Sequence, residues 1–254
     1  MAFSSGQKLK DGYYVIEKEI GRGGFGITYR AKSKNGEQVV IKTLNDEVRR
    51  SPDFAKSQEE FVNEAVKLAK CDHPHVVQVE KLFQEGALWC IVMEYLSGEN
   101  LASFILERGV LPEADALRYI SQIGAALEFA HSKNLLHRDV KPANIMLRNC
   151  RGGKPCTPEA VLIDFGLARK FIPNQINSHT ALVTSGYAPI EQYYKQHTPG
   201  AYTDVYALAA TLYSCLTQAL PESALERVEE VRQGKSDPLV PPKQINSKIQ
   251  RFPL

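Results

Sequence analysis

The feature that most constrains this chain is a charged loop at residues 135–147, enclosed by two apolar runs. Its sequence, LLHRDVKPANIML, gathers His, Arg, Asp, Lys and Asn side chains within a few positions, a concentration that solubility does not explain. A continuous apolar run, AVLIDFGLA, follows and places Asp164 at its end, with Gly166 soon after. Such uninterrupted runs are typical of buried strands. A carboxylate delivered at the end of a buried strand suits a hard cation.

A second constraint is the glycine-rich stretch IGRGGFGIT at residues 20–28, with the spacing G-x-G-x-x-G. Glycines let a backbone approach a ligand closely and turn its N–H groups toward an anion, but the spacing also fits a plain hairpin turn. A dinucleotide-binding loop opens a helix and has an acidic residue about 20 positions on. The following residues instead alternate between apolar and polar and contain a hairpin signal at Asn35-Gly36. Lys42 occupies the position at which a dinucleotide-binding loop would have its acidic residue. The glycines therefore lie between strands as a flap, and the dinucleotide interpretation is excluded.

Residues 54–70, FAKSQEEFVNEAVKLAK, predict an amphipathic helix. Its apolar face is formed by Phe61, Ala65 and Leu68. Glu64 projects from the same face, where an unpaired carboxylate is costly. Lys42, at the end of the apolar strand VVIK, is the candidate partner, and the alternative is that both charges reach solvent.

Composition places few further limits on function. The chain has 254 residues, 43% hydrophobic and 24% charged, with a net charge of +2, so neither nucleic acid nor a membrane surface is required as a partner. The N-terminus lacks the apolar core of a signal peptide. Five scattered cysteines favour cytosolic thiols over a zinc site or disulfides, so we expect a cytoplasmic protein. The longest apolar stretch, TDVYALAATLYSCLTQAL, predicts a buried core helix and no membrane segment.

These motifs, in this order, resemble the Hanks-type (eukaryotic-like) serine/threonine protein kinase catalytic domain, and its bacterial branch in particular. The resemblance covers residues 13 to about 220 and rests on the glycine loop, Lys42, Glu64, HRDVKPAN, DFG and the Asp204 that opens DVYAL. It implies an α+β, bilobal fold with a small antiparallel β-sheet N-lobe carrying helix C and a mainly helical C-lobe. The implied divisions are a lead at residues 1–12 and a kinase domain at 13–254, split into an N-lobe (13–96) and a C-lobe (97–254).

The resemblance implies an enzyme that transfers the ATP γ-phosphoryl group to serine or threonine hydroxyls of protein substrates, with Mg²⁺. The implied catalytic residues are Asp139, Lys141, Lys42, Glu64 and Thr184. The implied metal ligands are Asn144 and Asp164. In this scheme Asp139 accepts the hydroxyl proton and Lys141 offsets charge on the phosphoryl group. Lys141 also marks the serine/threonine class. Thr184 is implied to bond both Asp139 and Lys141.

The nucleotide-binding residues that the resemblance implies begin with the glycine flap over the ATP phosphates. Adenine is expected against Val40 and Met146, with Met93 as gatekeeper and the backbone of Glu94 and Leu96 at its edge. The full set is Ile20, Gly21, Arg22, Gly23, Gly24, Phe25, Gly26, Ile27, Thr28, Val40, Lys42, Met93, Glu94, Leu96 and Met146.

Two further roles follow from the resemblance. His137 is implied to be a packing residue and not a general base, stacked with Phe165, Leu68 and Val79. The activation segment offers Ser178, Thr180 and Thr184, and Thr180 has the spacing of the primary phosphosite. A phosphate on Thr180 is expected to dock on Arg138 and Arg169.

Three departures from the family pattern qualify this prediction. Thr28 replaces the usual valine over adenine, and the Ala-Pro-Glu triplet reads Pro189-Ile190-Glu191. The sequence also stops before the family's last C-lobe helices, which supply an arginine for Glu191. We therefore expect Glu191 to lack its partner and the C-lobe to be poorly stable or to self-associate beneath an intact ATP site. The alternative function is an ATP-binding, pseudokinase-like scaffold made inactive by this truncation, although every catalytic position is present.

Overall fold

A computed structural model of the chain describes residues 3–149, 157–165, 185–194 and 198–250. These residues form two compact units. The first unit contains the described residues up to Asp72 together with Val77–Leu96. The second contains His73–Val76 and the described residues from Ser97 onward.

The first unit is built on a six-stranded antiparallel sheet. Its strands are β1 (Lys8–Leu9), β2 (Tyr14–Arg22), β3 (Gly26–Ser33), β4 (Gln38–Leu44), β5 (Val79–Glu85) and β6 (Leu88–Glu94). They lie in the order β1-β2-β3-β4-β6-β5. The predicted hairpin turn at Asn35 and Gly36 joins β3 to β4, and Gly36 has φ +86°, a left-handed conformation that favours glycine. The glycine-rich stretch spans the end of β2 and the start of β3, as predicted.

Alternation along β3 and β4 separates two faces of this sheet. One face is packed into the core by Ile27, Tyr29, Ala31, Val39 and Ile41. The residues between them, including Thr28, Val40 and Lys42, are half-buried on the opposite face. The sheet therefore directs Lys42 away from its own core, because successive side chains of a strand point to opposite faces.

Two helices, α1 (Asp46–Arg50) and α2 (Phe54–Leu68), follow β4. The helix predicted at residues 54–70 is confirmed as α2, which ends two residues earlier, at Leu68. Its predicted apolar face is buried. Gln58 ties α2 to the β5–β6 hairpin, because its Nε2 donates to the Ala87 carbonyl at 2.8 Å and its Oε1 accepts from the Trp89 N–H at 3.0 Å.

The second unit is mainly helical, with one small sheet. Its elements are β7 (Gly98–Asn100), α3 (Leu101–Arg108), α4 (Glu113–Ser132), a 3-10 turn (Pro142–Asn144), β8 (Ile145–Arg148), β9 (Glu159–Leu162), a second 3-10 turn (Ile190–Gln192), α5 (Ala201–Thr217), α6 (Ala224–Arg232) and α7 (Pro242–Ile245). The three strands form an antiparallel sheet in the order β7-β8-β9.

Helix α5 is the predicted buried core helix, and it packs against α4. Two of its buried hydroxyl groups bond to carbonyls within the helix itself. Thr211 Oγ1 donates to the Ala207 carbonyl at 2.8 Å, and Thr217 Oγ1 donates to the Tyr213 carbonyl at 2.7 Å. In the part of the chain that the structure describes, no helix has the length and apolar character needed to cross a bilayer.

Candidate active site

The charged loop is anchored by one buried carboxylate, Asp204, in the first turn of α5. Asp204 is 0% exposed and accepts hydrogen bonds from the backbone N–H groups of His137 at 2.9 Å and Arg138 at 2.6 Å. Its Oδ2 also lies 2.7 Å from His131 Nε2. Burial by itself raises the pKa of Asp204, but the bonds from His131 and the two backbone groups outweigh it and hold the pKa below its ordinary value. An ionised carboxylate therefore fixes the backbone of the loop.

His137 is fully buried, and both of its ring nitrogens have partners. Nε2 lies 2.8 Å from the Ile163 carbonyl, which can only accept, so Nε2 carries the proton. Nδ1 then accepts from the Asp139 N–H at 3.2 Å. Burial lowers the pKa of His137, which agrees with this neutral ring. Its ring centroid is 4.7 Å from that of Phe165, which is one of the packing partners predicted from the sequence.

Two side chains of the loop contact the carboxylate of Asp139. Lys141 Nζ lies 3.1 Å from Asp139 Oδ2. Asn144 Nδ2 donates to the same Oδ2 at 3.0 Å and to the Asp139 backbone carbonyl at 2.8 Å. The Asp139 and Lys141 side chains are 16% and 23% exposed, so the carboxylate is oriented by its neighbours and is still reached by solvent. The structure thus brings together three of the residues that the sequence predicts for catalysis and metal binding.

Asp164 lies at the neighbouring strand end. Asn144 immediately precedes β8, and Asp164 comes shortly after β9, the strand paired with β8. The Ile163 N–H donates to the Asn144 carbonyl at 2.9 Å, which ties the two segments together. Asp164 has φ +55° and Arg138 has φ +63°. Positive φ is uncommon outside glycine, and such strained residues cluster at functional sites.

In the first unit, the glycine turn has a defined shape. β2 ends at Arg22 and β3 begins at Gly26, so residues 23–25 form the turn. The Gly23 N–H donates to the Gly26 carbonyl at 2.9 Å. A Cβ on Gly26 would lie 2.9 Å from the Thr43 carbonyl oxygen of β4, closer than side chains tolerate. Gly26 is therefore required by the close approach of two strands.

The strand register places four of the predicted nucleotide residues of this unit on one face, whereas the predicted Ile27 is buried on the core face because strand neighbours point to opposite sides. Thr28 is opposite Lys42 across β3 and β4, and Val40 is opposite Met93 across β4 and β6. Met93 is buried, whereas the other three are half-buried. Glu64 is half-buried on α2, and its pairing with Lys42 stays a prediction.

The other predicted nucleotide residues are distributed over both units. Ile20 is 45% exposed before the glycine turn, and Leu96 is buried after β6. The Glu94 N–H donates to the Gln78 carbonyl at 3.0 Å. Met146 belongs to the second unit, where it is half-buried in β8. Thr184, Ser178, Thr180, Arg169 and Gly166 lie outside the described residues.

We expect Glu191 to lack its arginine, and in the structure its carboxylate has a hydroxyl partner instead. Glu191 Oε1 accepts a hydrogen bond from the Thr203 hydroxyl at 2.8 Å, within the first turn of α5. A neutral hydroxyl from a neighbouring helix therefore contacts the carboxylate that an arginine contacts in the family pattern. Arg227 of α6 pairs with Asp237 at 2.7 Å.

Three residues that support the loop were not assigned this role from the sequence. The sequence identifies Asp204 as a motif residue but not as the anchor of the loop, and no motif indicates His131. Gln192 also supports the loop, since its Nε2 donates to the Arg138 carbonyl at 2.9 Å. The available signal was an aspartate at the start of an otherwise apolar helix, where a charge requires buried partners.

An antiparallel-sheet unit, a helical unit and an anchored Asp-Lys-Asn loop define the class of a protein kinase domain. The protein kinase domain family model matches residues 14–252, and the chain belongs to this family. The resemblance and the fold class predicted from the sequence are thereby confirmed.

Similar proteins include bacterial kinases. The chain is 35% identical over 214 residues to the serine/threonine-protein kinase PknJ of Mycobacterium tuberculosis, covering 83% of this chain and 35% of PknJ. It is 30% identical over 236 residues to the serine/threonine-protein kinase PkaA of Streptomyces coelicolor, covering 88% of this chain and 42% of PkaA. The chain thus spans about a third of the length of the first curated relatives it matches.

Solved kinase structures share the fold. The apo form of PpkA-294 has a TM-score of 0.72 and 26% identity, covering 97% of this chain and 91% of the other. The PknI kinase domain of Mycobacterium tuberculosis has a TM-score of 0.70 and 22% identity, covering 97% and 86% respectively. At that identity the second likeness shows the fold alone.

Proposed function

We propose that this chain transfers the γ-phosphoryl group of ATP to serine and threonine hydroxyls of proteins, including its own activation segment. The observation that carries the proposal is the Asp139 carboxylate, which Lys141 and Asn144 contact at 3.1 and 3.0 Å. The similarity to PknJ and PkaA, both named serine/threonine-protein kinases, supports the same activity.

Asp139 is proposed to act as the general base. An acid–base group must reach the proton it accepts, and this carboxylate is partly exposed while its position is fixed from two sides. Lys141 carries a positive charge beside it, which is suited to offset charge on the transferring phosphoryl group. Both ring nitrogens of His137 are already hydrogen-bonded to the backbone, so neither can accept a proton from a substrate, which supports its packing role.

Asn144 and Asp164 are proposed to hold Mg²⁺. Their side chains offer an amide and a carboxylate, the oxygen donors that Mg²⁺ prefers, on segments tied by the bond between Ile163 and Asn144. Mg²⁺ commonly uses one or two protein ligands together with substrate phosphates, so this small donor set fits. When bound, the ion neutralises charge on the phosphates.

The first unit is proposed to bind the nucleotide. The glycine turn provides backbone N–H groups for the phosphates, and Lys42 provides a point charge on the same sheet face as Val40. Glu64 is proposed to orient Lys42. Met93, Glu94 and Leu96 are proposed to contact the adenine ring. A phosphate on Thr180 is proposed as the switch of the activation segment.

A cytoplasmic location is proposed from the thiols. Cys71, Cys90 and Cys215 are free and buried, which suits a reducing compartment. Burial raises the pKa of Cys90 and of Cys215 to about 12, so both remain protonated and unreactive.

The proposal is tested by separating nucleotide binding from phosphoryl transfer. Asp139→Asn is expected to retain ATP affinity in calorimetry and to lose Mg²⁺-dependent transfer to a basic protein substrate. The control is Asp72→Asn, the same change at an exposed position, and it is expected to behave as the unaltered chain does. If the unaltered chain binds ATP but transfers no phosphate, the pseudokinase-like scaffold is the better description.

A further inference from the structure

Asn45 occupies a position between the glycine turn and the strand that carries Lys42. It follows β4 directly and caps the short helix α1, and it is only 5% exposed. Polar side chains are rarely buried to this degree without hydrogen-bond partners. The bonds of Asn45 therefore indicate what the residue does.

Two of these bonds hold the glycine turn. The Asn45 N–H donates to the Phe25 carbonyl at 2.9 Å, and Asn45 Nδ2 donates to the Gly23 carbonyl at 3.1 Å. The third bond belongs to α1, because Asn45 Oδ1 accepts from the Val48 N–H at 2.9 Å. One side chain thus caps a helix with its oxygen and holds the glycine turn with its nitrogen.

The bond to Gly23 also sets the direction of the next N–H group. The Gly23 carbonyl and the Gly24 N–H belong to one planar trans peptide, in which the two groups point in opposite directions. With the carbonyl turned toward Asn45, the Gly24 N–H points away from it. Among the described residues, the N–H groups of Gly24 and Phe25 have no hydrogen-bond partner. They are the groups that an anion would use.

We propose that Asn45 is a positioning residue for the phosphates of ATP, because its Nδ2 holds the glycine turn with its N–H groups presented to them. The inference rests on the proposed nucleotide site and assigns it a residue outside the glycine stretch. Preorganised N–H groups bind an anion without first being ordered, so loss of this bond weakens binding of the phosphates specifically.

The variant that isolates this role is Asn45→Ser. Serine caps helices about as well as asparagine, so the bond to Val48 has a replacement, but serine carries no amide nitrogen for Gly23. We expect the KM and Kd for ATP to rise about threefold to tenfold, the range for one lost hydrogen bond, with kcat changed less. Adenosine lacks phosphates, so its Kd should stay within about twofold.

Asn246 provides a matched control in the second unit. Its Nδ2 donates to the Leu216 carbonyl at 2.8 Å, and its Oδ1 accepts from the Lys248 N–H at 3.1 Å. Asn246→Ser therefore removes the same kind of bond far along the sequence from the glycine turn, and it should leave the Kd for ATP and for adenosine unchanged.

The outcomes separate the two proposals. Weaker ATP binding with unchanged adenosine binding supports the role of Asn45. Equal ATP affinity in Asn45→Ser and the unaltered chain overturns it, and would leave Asn45 as a helix cap only. Parallel loss of ATP and adenosine binding also overturns it, because general disruption would then explain the effect. If the unaltered chain binds neither ligand, the proposed nucleotide site itself fails.

Discussion

Replacing Asp204 with alanine is the most informative perturbation of the charged loop. The change removes the acceptor for the backbone N–H groups of His137 and Arg138, at 2.9 and 2.6 Å, and for His131 at 2.7 Å. A buried donor left without a partner costs about 1–3 kcal/mol, so the two backbone groups together give about 2–6 kcal/mol. The His131 side chain is 17% exposed and can regain a bond from water, so it adds less.

The expected effect is large enough for a simple thermal melt. For a domain of this size each 1 kcal/mol corresponds to about 2–4 °C, so Tm should fall by about 5–20 °C. Phosphoryl transfer should also be lost, because the loop that carries Asp139 loses its anchor. The control is Asp237→Ala, which breaks an exposed ion pair with Arg227 and should cost less than about 1 kcal/mol. A fall in Tm below about 2 °C for Asp204→Ala would refute the anchoring role.

Three other predictions test separate contacts. Gly26→Ala should lower Tm in a thermal melt, because its Cβ meets the Thr43 carbonyl at 2.9 Å, whereas Gly23→Ala meets nothing within 4 Å and should melt near the unaltered value. Burial lowers the pKa of His137 below the value of about 6.5 in an unfolded chain, so its contribution to stability is present above that pH and lost as the pH falls. His137→Gln should flatten the dependence of Tm on pH between about 7.5 and 5.5, and an unchanged slope would contradict the neutral ring. Thr203→Val should destabilise the chain by about 1–2 kcal/mol in urea unfolding, since its hydroxyl bonds Glu191 and helps cap α5, and Thr203→Ser should restore most of that loss.

Local patterns in the sequence were sufficient for much of the fold. The alternation around Asn35-Gly36 predicted the hairpin of β3 and β4, and the helical spacing of residues 54–70 predicted α2 over Phe54–Leu68. These elements follow from periodicity because each has one face packed into a core. The order of the motifs was enough to recognise the family, which the match over residues 14–252 confirms.

The supporting contacts of the site could not be predicted in this way. His131 and Asp204 are 73 positions apart, and Asn45 is 22 positions from Gly23, so their bonds depend on the path of the whole chain. An asparagine that follows a strand, as Asn45 does, predicts a helix cap and nothing more. The second bond of its side chain, to Gly23, is seen only in the structure. Long-range hydrogen bonds of this kind have no periodic signature in a sequence.

The central claim is tested most directly by phosphoamino-acid analysis after incubating the chain with radiolabelled ATP, Mg²⁺ and a basic protein substrate. We expect label on phosphoserine and phosphothreonine, none on phosphotyrosine, and none at all with Asp139→Asn. Label on phosphotyrosine would contradict the assignment of substrate class, and equal labelling by Asp139→Asn would contradict the role of the carboxylate held by Lys141 and Asn144.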